Sequence, residues 1–456
     1  MTTIVRSQRV VLPDSVKAAS VHIEGGRIVK VGAWDDVPEG APVDDLGSLY
    51  LLPGLVDTHV HINDPGRADW EGFETATRAA AAGGVTTLVD MPLNSIPSTT
   101  TPEAVALKVR ALEAKSSVDV GLCGGLVPQN AAQADTLFRE GILAFKCFLA
   151  ESGVNEFSHV SDVELATGMA RLATVGAPLF VHAELPGPLD EAEKRLGIVT
   201  PEDARRYATY LASRPKSAED AAVDLVVRTA QARGARAHIV HLSSADALDI
   251  LRRAMDARID ITAETCPHYL TLAAEEIPDG ATAFKCAPPI RDAQNRDRLW
   301  AALGEGTIVQ VVTDHSPSTL DLKCSGSGDF MKAWGGIASL EIGLSVVAQE
   351  GKKRGVPFAS VVRWMSAAPA KLAGLTGKKG EIRVGCDADL TVWDEDATFT
   401  VDAMKLQHRN PITPYAARTI QGRVVRTMLR GETIFTRDER GEASFAARRG
   451  SWLRRS

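Results

Sequence analysis

The chain has 456 residues, 45% hydrophobic and 24% charged, which is apolar enough for a large core and excludes a disordered or collagenous polymer. Lys plus Arg is 51 against 58 Asp plus Glu, and the net charge of −7 argues against nucleic acid or an anionic membrane as the main partner and favours a small molecule. The six cysteines lie far apart with no CxxC pair, no stretch reaches about 18 uninterrupted apolar residues, and MTTIVRSQRVVLPDS lacks the apolar run of a signal peptide, so a soluble cytoplasmic protein is expected.

At about 150 residues per domain the length suggests about three domains, yet the texture changes only twice. Residues 1–52 read as short strands separated by turns: VHI, then Glu24-Gly25-Gly26, then RIVKVG. From 53 to 377, apolar runs such as TTLVD, ILAFKCF, PLFVHAE, AHIVHLS and IVQVVTD alternate with longer helical-looking stretches, the pattern of a parallel sheet covered by helices. Roughly eight such units fit an α/β fold of the closed (β/α)8 type, whose functional residues gather at the C-terminal ends of the strands; an open doubly wound sheet is the alternative. Residues 378–456 return to strands in GEIRVGCDADLTVWD and GRVVRTMLRGETIF, so the two chain ends are expected to share one small β domain. The basic tail RRGSWLRRS reads as a solvated end, with a subunit contact as the other reading.

Chemistry-bearing residues fall where a barrel would collect them. His59 and His61 follow the run LYLLPGLV and, two apart on a strand, face the same side, as metal ligands or as a hydrogen-bonded pair. His182 ends LFVH, His241 ends HIVH and Asp314 ends VQVVTD, so three further ligand-type side chains stand at strand ends that converge on one mouth. Lys146 ends ILAFK, where a charged amine is costly. A buried ion pair explains it; so does an amine of depressed pKa that has taken up carbon dioxide to become a carbamate bridging two cations. His238, three before His241, reads as a core residue.

With these residues in view, GLVDTHVHINDPGRADWEGFETATRAAAAGGVTTLVDMPLN resembles the amidohydrolase superfamily and, within it, the allantoinase family of cyclic amidohydrolases. The resemblance continues in LAFKCF, LFVHAE, HIVHLSSADA, AETCPHYL, FKCAPPIRD, TDHSP, FMKAWGGIASLE and GEIRVGCDADL, and spans essentially the whole chain. It implies a (β/α)8 barrel beside a small β-sandwich built from both ends, a homotetramer, and two divalent cations per subunit. His59, His61 and Asp314 would hold one ion, His182 and His241 the other, and carboxylated Lys146 would bridge them. Imidazole, carboxylate and carbamate suit Zn2+, Co2+, Mn2+ and Fe2+ alike, with zinc as the default. The implied reaction opens a cyclic ureide: a metal-bridging hydroxide attacks the ring amide carbonyl, a cation stabilises the oxyanion, and Asp314 carries the proton to the departing nitrogen. Allantoin would give allantoate.

Around these ligands, Asn63, Arg67 and Asn94 have the chemistry to hydrogen-bond a ureido or ring carbonyl, although loop capping explains them equally. His268 and His315 lie near the mouth, as anchors or as substrate contacts. Gly335 in Trp334-Gly335-Gly336 and Ala287 in KCAPPIR are places where backbone groups can approach a ligand. Thr265 and Ala287 depart from the allantoinase pattern, in which Ser is commoner. Dihydroorotases place an Arg where this chain has Asn63, and hydantoinases and dihydropyrimidinases carry a Tyr shortly after the bridging lysine where this chain reads CFLAESG. Hydantoinase is therefore the second reading. Non-catalytic dihydropyrimidinase-like scaffolds lose metal ligands, and this chain keeps all six.

Overall fold

The computed structural model describes every residue except Met1, Ala114 and Ser456. Eight strands form one parallel sheet in sequential order: β1 Leu55–Val60, β2 Val85–Asp90, β3 Asp119–Gly125, β4 Ala144–Phe148, β5 Leu179–His182, β6 Ala237–Ile239, β7 Ile261–Thr265 and β8 Gln310–Val311. The ring closes just past β8, where Val60 bridges His315 and the His61 amide donates to the His315 carbonyl at 2.8 Å. The open-sheet alternative is thereby excluded. Strands β1 to β4 are buried at every position, as strands covered on both faces must be.

Between the strands the helices begin and end where local chemistry dictates. Helix Asp162–Ala173 starts with a capping box in which Ser161 and Glu164 satisfy each other's backbone amides. Helix Lys216–Arg233 stops at Gly234, whose left-handed conformation lets the last turn close without a Cβ clash.

The two chain ends form one nine-stranded sheet of their own. Leu390–Thr400 from the C-terminal part pairs antiparallel with Tyr50–Pro53 from the N-terminal part, joining Leu390 to Pro53 and Trp393 to Tyr50. Val5, Val21, Ile28, Leu51, Leu390 and Met428 pack into a core separate from that of the barrel. The sheet is fastened to the barrel by buried charge: Lys379 Nζ lies 2.8 Å from Asp119, 2.6 Å from Asp389 and 3.0 Å from Asp387, and Arg430 reaches Asp119 at 2.6 Å.

The basic tail departs from the solvated end expected of it. Trp452 bridges Val120 of β3, the Ser451 amide and hydroxyl both donate to Asp119 at 3.0 Å, and Leu453 is buried. Two apolar side chains inside a basic run supply the docking face, and Gly450 passes so close to the Val118 backbone that a Cβ there would collide with it.

Candidate metal centre and substrate cavity

At the C-terminal mouth of the barrel, His59 Nε2 and His61 Nε2 face the same oxygen, Asp314 Oδ1, at 3.2 and 3.3 Å. Across the mouth, His182 Nδ1 lies 3.0 Å from His241 Nε2. The His59 and His241 rings, 5.4 Å apart, join the two groups. Lys146 Nζ is buried in the same cavity without a hydrogen-bond partner. All six predicted ligands are thus gathered in one place, although three of them are not on strands: His61 comes directly after Val60, the last residue of β1. His241 and Asp314 stand two and three residues beyond β6 and β8, each with a left-handed backbone (φ 39° and 46°) that His and Asp tolerate better than most residues. That turn ends the ladder and swings the side chain over the mouth.

The protonation of the imidazoles is set from behind. Burial tends to raise the Glu264 carboxyl, but His238 and His59 outweigh it and hold it below the usual range, so it can only accept. It takes bonds from His59 Nδ1 at 2.6 Å, His238 Nε2 at 2.8 Å and Gln310 Nε2 at 2.9 Å. Glu184 is held low in the same way, burial being outweighed by Arg214 and His182, and accepts from His182 Nε2 at 2.8 Å and from Arg214. The outer nitrogens of His59 and His182 therefore carry the protons, and the inner ones present lone pairs to the cavity. Burial also pushes His61 down to about 4 and lowers His182 and His241, so neutral imidazoles line the mouth at pH 7. Burial favours a neutral Asp314, but His59 and His61 hold it at about 2.

The donor set fits divalent cations. A tetrahedral ion with bonds of about 2.0–2.1 Å needs ligand atoms roughly 3.3 Å apart. The 3.0, 3.2 and 3.3 Å separations match that edge. His59 Nε2 is buried without a hydrogen-bond partner, as expected of an atom meant for an ion. Burial brings the Lys146 amine down to about 8, partly opposed by Asp314 and Glu264.

The cavity over these groups measures about 390 Å3 and is walled by Phe148, Tyr210, Arg214, Lys285, Ala287 and Trp334. Phe148 stacks on His182 with ring centroids 4.4 Å apart. Of the positions expected to contact substrate, Asn94, Ala287 and Gly335 line the cavity. Asn63 is buried and not part of the cavity lining, with both side-chain amide atoms unpartnered. Arg67 is spent on the Asn94 carbonyl at 2.7 Å and on Glu156 at 3.0 Å. His315 is held by Glu71 at 3.2 Å and by the Ser339 and Leu340 amides, as an anchor would be. Thr265 turns its hydroxyl to the Leu242 carbonyl at 3.0 Å, so a Ser-to-Thr change there leaves the cavity wall unaltered. His238 is the core residue expected, and its partner Glu264 makes it a support for His59.

Residues 50–434 match the model of the amidohydrolase family. The chain belongs to the amidohydrolase family. Among relatives of this amidohydrolase, an allantoinase of Streptomyces avermitilis is 51% identical over 96% of both chains. One of Arabidopsis thaliana is 44% identical over 94% of this chain and 87% of its own, and one of Saccharomyces cerevisiae 40% identical over 95% of both. Among solved structures, an L-hydantoinase (dihydropyrimidinase) from Arthrobacter aurescens superposes with a TM-score of 0.91 at 30% identity over 99% of both chains. A dihydropyrimidinase from Brevibacillus agri gives 0.89 at 28%, covering 100% of this chain and 99% of its own.

Proposed function

We propose that this amidohydrolase is an allantoinase, opening the hydantoin ring of allantoin to give allantoate. The observation that carries the reading is full-length likeness to allantoinases at up to 51% identity, against 30% for the hydantoinase of most similar fold named above, joined to the six-residue donor set at the mouth. His59, His61 and Asp314 are assigned to one cation and His182 and His241 to the other. When bound, two such ions polarise the ring carbonyl and bring the pKa of a water toward about 7.

The remaining work falls to the chain. Lys146 is assigned as the bridging carbamate: its amine nitrogen bonds the carbon of carbon dioxide and releases a proton to solvent, which the depressed pKa favours. The product is an anion with two oxygens, which a site of neutral imidazoles needs for charge balance. Both histidines face Asp314 Oδ1, which leaves Oδ2 to take the proton of the attacking water and hand it to the departing ring nitrogen. Glu264 and Glu184 fix the tautomers. Asn94 and the backbone at Ala287 and Gly335 are placed to hold the ring.

Six unpaired cysteines support a reducing cytosol, and no helix among the described residues is long and apolar enough to cross a membrane. The family resemblance supports a homotetramer, which sedimentation velocity would test. For the site itself, Lys146→Ala is expected to lose metal and activity together and to regain part of both with short carboxylic acids. Full activity in that variant would sink the bridging role.

A further inference from the structure

We propose that Lys285 is a specificity-determining residue that donates to the carbonyl of the ureido group carried outside the substrate ring. This rests on the allantoinase reading above. Lys285 lines the same cavity as His61, Lys146, His182, His241 and Asp314, but on the wall shared with Tyr210, Met331 and Trp334. Its main chain is held firmly: its amide donates to the Thr282 carbonyl, and its carbonyl accepts from the Gly336 amide at 2.9 Å and from Lys323 Nζ at 3.2 Å. The ammonium is less committed. It donates to the Met331 carbonyl at 3.1 Å and lies 4.9 Å from the Tyr210 ring centroid. No carboxylate among the described residues forms an ion pair with it, although Lys285 is buried.

A buried cation with only one carbonyl acceptor has donors to spare, and leaving them unmet inside a cavity is costly. Neighbouring charge does not meet that need. Arg214, also on this wall, is already engaged by Glu184, and Asp329 pairs with Lys332 at 3.3 Å. The unmet donors call for an oxygen acceptor supplied by the ligand. An unsubstituted hydantoin offers only the oxygens of its two ring carbonyls, one of them at the scissile amide, and nothing farther from the ring. A ureido substituent places a strong carbonyl oxygen several bonds away from the scissile amide, and that is the group by which allantoin differs from hydantoin. Lys285 thereby acts on substrate choice, while the ring-opening chemistry stays with Lys146 and Asp314.

The test compares wild type, Lys285→Met and Lys285→Arg, each metal-loaded, with bound metal and thermal melting recorded. For Lys285→Met, the KM for allantoin is expected to rise at least about tenfold, the loss typical of a charged hydrogen bond, with kcat within about threefold. The constant for hydantoin, measured as a competitor, is expected to stay within about twofold, and Lys285→Arg should recover part of the allantoin KM. Should the Met variant fail to fold, Lys285→Leu, which likewise has no donor, carries the same comparison. An unchanged allantoin KM in a folded, metal-loaded variant would overturn the inference, as would equal weakening of allantoin and hydantoin. Wild-type protein inert on allantoin would instead overturn the allantoinase reading.

Discussion

Glu264→Gln tests whether the metal centre is set from behind. Glu264 Oε1 accepts one bond, from His59 Nδ1 at 2.6 Å, while Oε2 accepts two, from His238 Nε2 at 2.8 Å and Gln310 Nε2 at 2.9 Å. A glutamine of the same shape keeps one carbonyl oxygen. It will place that oxygen where two donors converge and turn its NH2 toward His59. His59 then keeps a contact only by switching tautomer, with Nδ1 accepting and Nε2 protonated, and a protonated Nε2 cannot bind an ion. Hydrogen bonds to charged groups are worth about 1.5–3 kcal/mol, roughly a factor of 10–150, in line with the 10–100-fold cost of losing such a support. Metal content should be measured by elemental analysis across a chelator-buffered series, comparing variant and wild type. The expected outcome is loss of one ion per chain at free metal about 10–100-fold higher than in wild type, with the fold intact by circular dichroism. Two ions held with wild-type affinity would refute the tautomer argument.

Other consequences follow from the same contacts. Glu184→Gln removes the partner of Arg214 and should cost about 1.5–3 kcal/mol at pH 7 in the metal-free protein. Because the folded-state pKa of Glu184 is depressed, this difference should be present above about pH 4.5 and shrink as pH falls below it, as chemical denaturation at stepped pH would show. Lys379→Met takes a shared buried cation from Asp119, Asp387 and Asp389, of which Asp119 keeps Arg430, and should destabilise by about 3–5 kcal/mol in urea melts. Burial favours a neutral Lys379, but Asp389, Asp119 and Asp387 raise its pKa, so in wild type this contribution should survive past pH 10.5 and be lost only as pH climbs through the raised value. Arg67→Ala should leave the KM for allantoin within about twofold, because its guanidinium is held by Glu156 and Asn94, and steady-state kinetics would show otherwise if it reached substrate.

Much of the site was legible because barrel geometry turns strand-end residues into neighbours: His59, His61, Lys146 and His182 all close apolar runs, and a parallel sheet sends such ends to one mouth. His241 and Asp314 were found for a reason only partly right. HIVH and VQVVTD read as strand to their last residue, whereas pairing stops at Ile239 and Val311, and the left-handed turns that follow leave no periodic trace. Glu264 in AET and Glu184 in VHAE carry the same signal as Lys146, a charged group beside an apolar run, and reading the sequence for metal ligands alone passes over them. Arg67 and His315 show the opposite limit. Whether a polar side chain faces a ligand depends on partners such as Glu156 and Glu71, which lie 89 and 244 residues away in the chain and leave no local signal. The docked tail belongs to the same class, since its acceptor Asp119 is 332 residues upstream.

The central claim is the substrate, and it is tested most directly by assaying allantoin, hydantoin, dihydrouracil and dihydroorotate side by side on protein loaded with two divalent ions per chain. Allantoin converted to allantoate with the highest kcat/KM of the four is the predicted result. Turnover of hydantoin with none of allantoin would contradict it.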